Sequence, residues 1–346
     1  MFSMNNNNQN LKIEYKQLLS LIAILVVATI VAKEIMHVLV VSTIRAFGTP
    51  DSDGNIHLSY MAMWGINALI VYTPSLFIFE AFLTKRSKNS SSLNVSRVGE
   101  IQNPASRVQL LLCFPALYFL SIVANMFTHM IASLFTRFFG TAPLGDPFAN
   151  SMPTENEQWL IMLLFVGVVA PVVEEIIFRR MLLKPLRQFG DNQAVIITAV
   201  LFGAFHGNFT QFLYATVGGI VLGFVTVKSR DGSIKPAIFI HMANNIFTLT
   251  LAFMSDHGLS QVAATTLNGL AILGTISVVY LARRKFFTAD IISKDSETVN
   301  HSKTAESSEK GDVFNAKEIA IKHPAMIMLA GVLLVNLILG TIGIND

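Results

Sequence analysis

Ala170-Pro171-Val172-Val173-Glu174-Glu175-Ile176-Ile177-Phe178-Arg179-Arg180 sits inside one of the longest apolar stretches of the chain. Its two adjacent carboxylates are flanked by residues that suit a lipid-facing helix. An ionised side chain in hydrocarbon is costly, and those that persist there mark function. On a helix of 3.6 residues per turn Glu174 and Glu175 diverge by roughly 100°, so they point to different surroundings. Glu175 and Arg179 share a face at i, i+4, which predicts an internal ion pair. Glu174 has Phe178 at the equivalent position. The expectation is that Arg179 holds Glu175 and that Glu174 is available for chemistry.

The surrounding sequence supports a membrane setting. Of its 346 residues 52% are hydrophobic and only 14% are charged, against about a quarter charged in soluble domains. Several apolar runs exceed the roughly 18 residues that a membrane-spanning helix needs. The fold class read from this is all-α, a polytopic membrane helical bundle. The single cysteine, Cys113, permits no intrachain disulfide and reads as a small packing residue in an apolar run.

About nine transmembrane helices are expected, near 18–42, 61–83, 109–136, 158–183, 193–209, 211–227, 236–254, 263–282 and 324–343. The first is too long for a signal-peptide core and has no small-residue cleavage site; its Lys33, Glu34 and His37 read as structural partners of neighbouring helices. Lys85, Arg86, Lys88, Arg97 and Arg107 follow the second span, Lys184 and Arg187 the fourth, Lys228, Arg230 and Lys235 the sixth, and Arg283, Arg284 and Lys285 the eighth. The alternate loops carry Asp51, Asp53, Asp146, Glu155, Glu157 and Asp256. By the positive-inside rule the expected location is the cell membrane, with a cytoplasmic N-terminus and an external C-terminus. These loop charges account for the formal net charge of +3, and no nucleic-acid partner is needed to explain it. The chain divides into 1–157, an N-terminal tail with three spans; 158–260, a core; 261–285, the eighth span; 286–323, a polar linker too poor in apolar residues to fold alone; and 324–346, a last span that reads as an appended anchor.

Two later motifs echo the carboxylates. The fifth span ends Phe202-Gly203-Ala204-Phe205-His206-Gly207-Asn208, and the seventh holds His241-Met242-Ala243-Asn244-Asn245, with His241 and Asn245 on one face. At 1.5 Å rise per residue, Glu174 lies roughly 15 Å from the cytoplasmic edge, His206 roughly 20 Å, and His241 and Asn245 roughly 8–14 Å. One cavity open to the cytoplasm could therefore collect all four. A carboxylate beside an imidazole can deprotonate a water, and a second imidazole with a carboxamide can stabilise the oxyanion formed on an attacked carbonyl. The alternative is that Glu174, His206 and His241 are three ligands to zinc, leaving a position for water. Residue types and spacing leave both open. Taken singly, Asn245 reads equally well as helix-packing glue, and a lone His129 as a structural residue.

In combination, Glu174-Glu175-x-x-x-Arg179, Phe202-x-x-x-His206 and His241-x-x-x-Asn245 resemble the CPBP family, the CAAX-protease and bacteriocin-processing membrane proteins also called Abi. The resemblance covers about residues 158–260. It implies a catalytic core like the CAAX prenyl protease fold, in which Glu174 activates water, His206 helps to hold it, His241 and Asn245 form the oxyanion hole, and Glu175, Arg179 and Phe202 support the site. It also implies an intramembrane endopeptidase, commonly described as metal-dependent, whose partners are the bilayer and a peptide or membrane-protein substrate. CAAX-type proteins, bacteriocin or signal-peptide precursors are the substrate classes implied, with bacteriocin self-immunity as one consequence. Other intramembrane proteases fit poorly: there is no His-Glu-x-x-His, no Gly-x-Ser-Gly, and the isolated Gly145-Asp146 lies in a loop. A non-proteolytic scaffold on the same fold, and a proton-coupled transporter using Glu174 and the histidines, are the competing readings.

Overall fold

The structure is a computed structural model that describes residues 2–47, 59–89, 104–139, 152–153, 155–288 and 315–341. The Gly145-Asp146 pair, the acidic positions Asp51 and Asp53, Arg97 and most of the 286–323 linker lie outside the described residues. Every regular element described is helical. In chain order these are α1 (Phe2–Phe47), α2 (Tyr60–Asn89), α3 (Arg107–Phe139), α4 (Asn156–Phe189), α5 (Asp191–Phe205), α6 (Phe209–Lys228), α7 (Lys235–Asp256), α8 (Ser260–Arg283), α9 (Ala316–Lys322) and α10 (Pro324–Thr341).

Seven of them are long and apolar enough to cross a bilayer, and the chain is a multi-pass membrane protein. The expected nine spans are modified at two places. The last, α10, follows α9 across a 60° bend at His323, and Asn315 caps the opposite, N-terminal end of α9 by accepting the Glu318 N–H at 3.2 Å. The fifth, α5, has only 15 residues, a rise of about 22 Å against a hydrocarbon core of about 30 Å. Its short length sets His206 at its end inside the bundle.

The core explains these lengths. α5 packs along α6, α3 packs against both α6 and α8, and α1 packs against α2 and α10. The buried apolar residues form one cluster running from Tyr15, Leu18, Leu19 and Ile22 of α1 through Cys113 and Leu117 of α3 to Leu329 and Leu333 of α10. Cys113 is a packing residue, its thiol 3.2 Å from the Gln109 carbonyl. The last helix is more than a tether, because Leu329 is buried in this common core and Asn336 joins Lys33, Glu34 and Thr29 of α1 around a cavity of about 30 Å³.

In lipid, helices gain little from hiding apolar surface and associate instead through close packing of small residues. The α5–α6 hairpin follows this rule. A Cβ at Gly219 would stand 2.9 Å from the Ala199 Cα, and one at Gly203 would collide with the Thr216 hydroxyl and lie 2.5 Å from the Phe212 carbonyl. Gly203→Ala is therefore expected to cost about 1–3 kcal/mol of stability, read as earlier thermal unfolding in detergent. Gly269→Ala, where nothing lies within 4 Å of an added Cβ, should be neutral or slightly stabilising on helix propensity.

Candidate active site

The carboxylates stand on a short α-helical segment, Ala170–Glu175, between two π-helical stretches of α4, Leu163–Val169 and Ile176–Leu183. Such widened turns inside helices recur at functional sites. Here the first has a chemical cause. The Ala170 N–H reaches the Phe165 carbonyl, five residues back. Continuing that register would pair the Val166 carbonyl with residue 171, which is proline and has no N–H. Asn245 of α7 supplies the missing donor, its Nδ2 standing 2.9 Å from the Val166 oxygen.

Glu175 is fully buried, and Arg179 Nε lies 3.0 Å from its Oε2, as the i, i+4 spacing predicts. The second partner of Glu175 comes from another helix. His241 Nδ1 lies 3.0 Å from Glu175 Oε1, and an ionised carboxylate only accepts, so Nδ1 carries the proton and donates. The other ring nitrogen, Nε2, faces Glu174 Oε2 at 3.8 Å, beyond hydrogen-bond reach. The two glutamates thus point apart along their helix and still flank one imidazole. Glu174 is buried as well, and its Oε1 accepts a 2.8 Å hydrogen bond from the Tyr72 hydroxyl of α2. The motifs did not reveal Tyr72, because nothing in the sequence aligns α2 with α4.

Phe202 joins the remaining parts. Its ring meets those of His206 and His241 edge-on, at 5.1 and 5.8 Å between centroids. The Arg179 guanidinium lies 5.0 Å from the centre of the same ring, a cation–π arrangement that gains strength where water is excluded. His206 Nδ1 lies 2.9 Å from the Phe202 carbonyl. The turn after it is set by Gly207 at φ 73° and by Asn208, whose amide donates to the His206 carbonyl at 3.1 Å while its oxygen accepts from the Gln211 N–H at 2.9 Å.

All seven residues singled out from the sequence are therefore in one region, in two kinds of contact. Glu174, Glu175, Arg179 and His241 form a polar cluster, with Phe202 against it. His206 is connected through Phe202, and no hydrogen bond or ion pair joins it to Glu174 among the described residues. Asn245 bonds to α4 backbone and accepts from Asn244 at 3.3 Å; one of its two amide N–H groups remains beyond the bond to Val166. Among the described residues no three His, Cys, Asp or Glu side chains converge as a metal-holding group. Glu174, His206 and His241, the zinc-ligand set expected from the sequence, are not gathered in such a group.

Residues 156–247 match the family described as Type II CAAX prenyl endopeptidase Rce1-like. That segment is similar to the Rce1-like domains of the CPBP family, a family of intramembrane CAAX-type endopeptidases. It begins with α4 and ends in α7, and so contains both glutamates, Arg179, Phe202, both histidines and Asn245, while Tyr72 lies outside it. No curated protein and no solved structure matches the chain.

Asn245→Ala should lower stability by about 1–3 kcal/mol, because it leaves the half-buried Val166 carbonyl without its donor. In a Pro171→Ala background the chain itself supplies an N–H there, and most of that loss should vanish. Thermal unfolding of the four variants in detergent measures both effects.

Proposed function

We propose that the chain is an intramembrane endopeptidase in which Glu174 removes a proton from the attacking water. The observation that carries this reading is the clamping of His241 between two buried carboxylates, one neutralised by Arg179 and one not. A buried carboxylate without its own cation serves poorly as a structural element, since unpaired charge is costly in a dry interior. It serves well as a general base. Glu175, fixed by Arg179, accepts from Nδ1 and turns Nε2 of His241 toward the space beside Glu174.

Water attacks the substrate carbonyl, and Glu174 takes its proton. The oxyanion is stabilised by His241, which donates from Nε2 when the ring carries both protons, and by the second N–H of Asn245. Such preorganised donors are among the largest contributors to acyl-transfer catalysis. Glu174 then returns the proton to the departing amine, and the peptide bond breaks. His206 borders the same space through Phe202 and helps to hold the water.

The likeness to Rce1-like domains supports a prenylated CAAX-type peptide as substrate, with a small membrane-active peptide precursor as the other class. The loop charges support an orientation with the N-terminus in the cytoplasm, and the reading then has cleavage nearer the cytoplasmic face.

The test is cleavage of a fluorogenic prenylated CAAX peptide, and of a panel of unprenylated precursor peptides, by purified protein in proteoliposomes. Glu174→Gln should insert normally and lose about 10²–10⁴-fold in rate, the usual contribution of a positioned general base. Glu175→Gln should chiefly lose stability, by about 3–5 kcal/mol, through the unpaired guanidinium it leaves behind. A chelator arm separates a carboxylate acting alone from one acting with a metal ion. Full retention of function by Glu174→Gln would replace this reading with a non-proteolytic scaffold.

A further inference from the structure

The catalytic reading leaves unexplained why Glu174, free to rotate about its side-chain bonds, should keep one oxygen toward His241. The answer lies on a helix outside the Rce1-like segment. Tyr72 of α2 donates its hydroxyl to Glu174 Oε1 at 2.8 Å, leaving Oε2 toward His241 Nε2. We infer that Tyr72 is the positioning residue of Glu174: its hydrogen bond selects the carboxylate rotamer in which Oε2 faces the reacting space. This inference rests on the protease reading, which it extends to a residue that none of the three motifs contains.

Three features support the assignment. A hydrogen bond to an ionised acceptor is stronger and more directional than one between neutral groups. Glu174 has no arginine at its side as Glu175 has Arg179, and His241 Nε2 stands at 3.8 Å, so the Tyr72 hydroxyl is the one hydrogen-bond donor to Glu174 among the described residues. The Tyr72 ring is anchored separately, as a wall of the apolar cleft that it forms with Gly65, Ile66 and Leu69 of α2 and Phe165 and Val169 of α4. That anchoring allows the hydroxyl to be removed without disturbing the wall. It also makes α2 a working part of the site, although it precedes the family segment by about eighty residues of sequence.

Tyr72→Phe deletes the bond and keeps the ring. In the peptide-cleavage assay kcat should fall roughly tenfold or more, the equivalent of losing one hydrogen bond to a charged group, while KM stays within about twofold. A residue that merely packs would leave kcat unchanged on this substitution. The bond itself is tested without activity by a double-mutant cycle in thermal unfolding. Tyr72→Phe should lower Tm in the wild-type background and have little or no effect in Glu174→Ala, where the acceptor is gone. Unchanged kcat in Tyr72→Phe, with Glu174→Gln inactive, overturns the positioning role and leaves the protease reading standing. Additive Tm losses in the cycle overturn the bond. If the wild-type protein cleaves none of the peptides, the protease reading fails, and the cycle still decides whether Tyr72 holds Glu174.

Discussion

A guanidinium and two carboxylates buried together in an apolar bundle form the constraint on which the rest of this structure depends. Arg179 is 1% exposed and Glu175 fully buried, so neither can be satisfied by solvent. Each must find its partners within the protein, and a helix end or loop at that depth would leave further polar groups stranded. The pair is consequently set on one helix, one turn apart, and the open faces of its members are covered from two other helices. His241 of α7 takes the second oxygen of Glu175, and Phe202 of α5 covers the guanidinium. Substituting either member of the Glu175–Arg179 pair leaves an uncompensated buried charge behind.

The backbone that carries the carboxylates is itself adapted. A regular α-helix through Pro171 would lack one internal hydrogen bond in the middle of the membrane. Here the helix widens before the proline, and Asn245 from α7 bonds to the Val166 carbonyl. The residue that resembles an oxyanion-hole donor is thus also a clasp between α4 and α7. The amide has two N–H groups, so the bond to Val166 leaves one for the proposed oxyanion role. The bond ties the position of Asn245 and His241 to that of the glutamates: α7 cannot shift along α4 without breaking the contact to Val166.

The short helix α5 completes the arrangement. Small residues at its contact with α6 bring the two backbones close enough that a Cβ at Gly203 or Gly219 would collide with the opposite helix. A tight hairpin of this kind can stop part-way through a membrane because its polar end is buried in protein, where Asn208 satisfies the turn. His206 is held at that end, and Phe202 one turn earlier faces the charged cluster. The lengths of the helices, as much as their side chains, determine which residues meet.

What the sequence by itself determined was everything that depends on composition and on periodicity within one helix. Apolar runs of sufficient length gave the all-helical membrane bundle. The i, i+4 spacing gave the Glu175–Arg179 pair, and the ordered motifs gave the seven residues that the fold gathers into one region. Tertiary structure decided what lies between helices. That His241 bridges both glutamates, that Asn245 bonds to Val166, that Tyr72 holds Glu174, and that the fifth apolar run stops as a 15-residue helix all depend on the rotation and depth of one helix against another. The physical reason is that a helical period relates residues only to others on the same cylinder. The two π-helical stretches of α4 change that period on either side of the carboxylates, so even a correct helix assignment could not say which neighbour each would face.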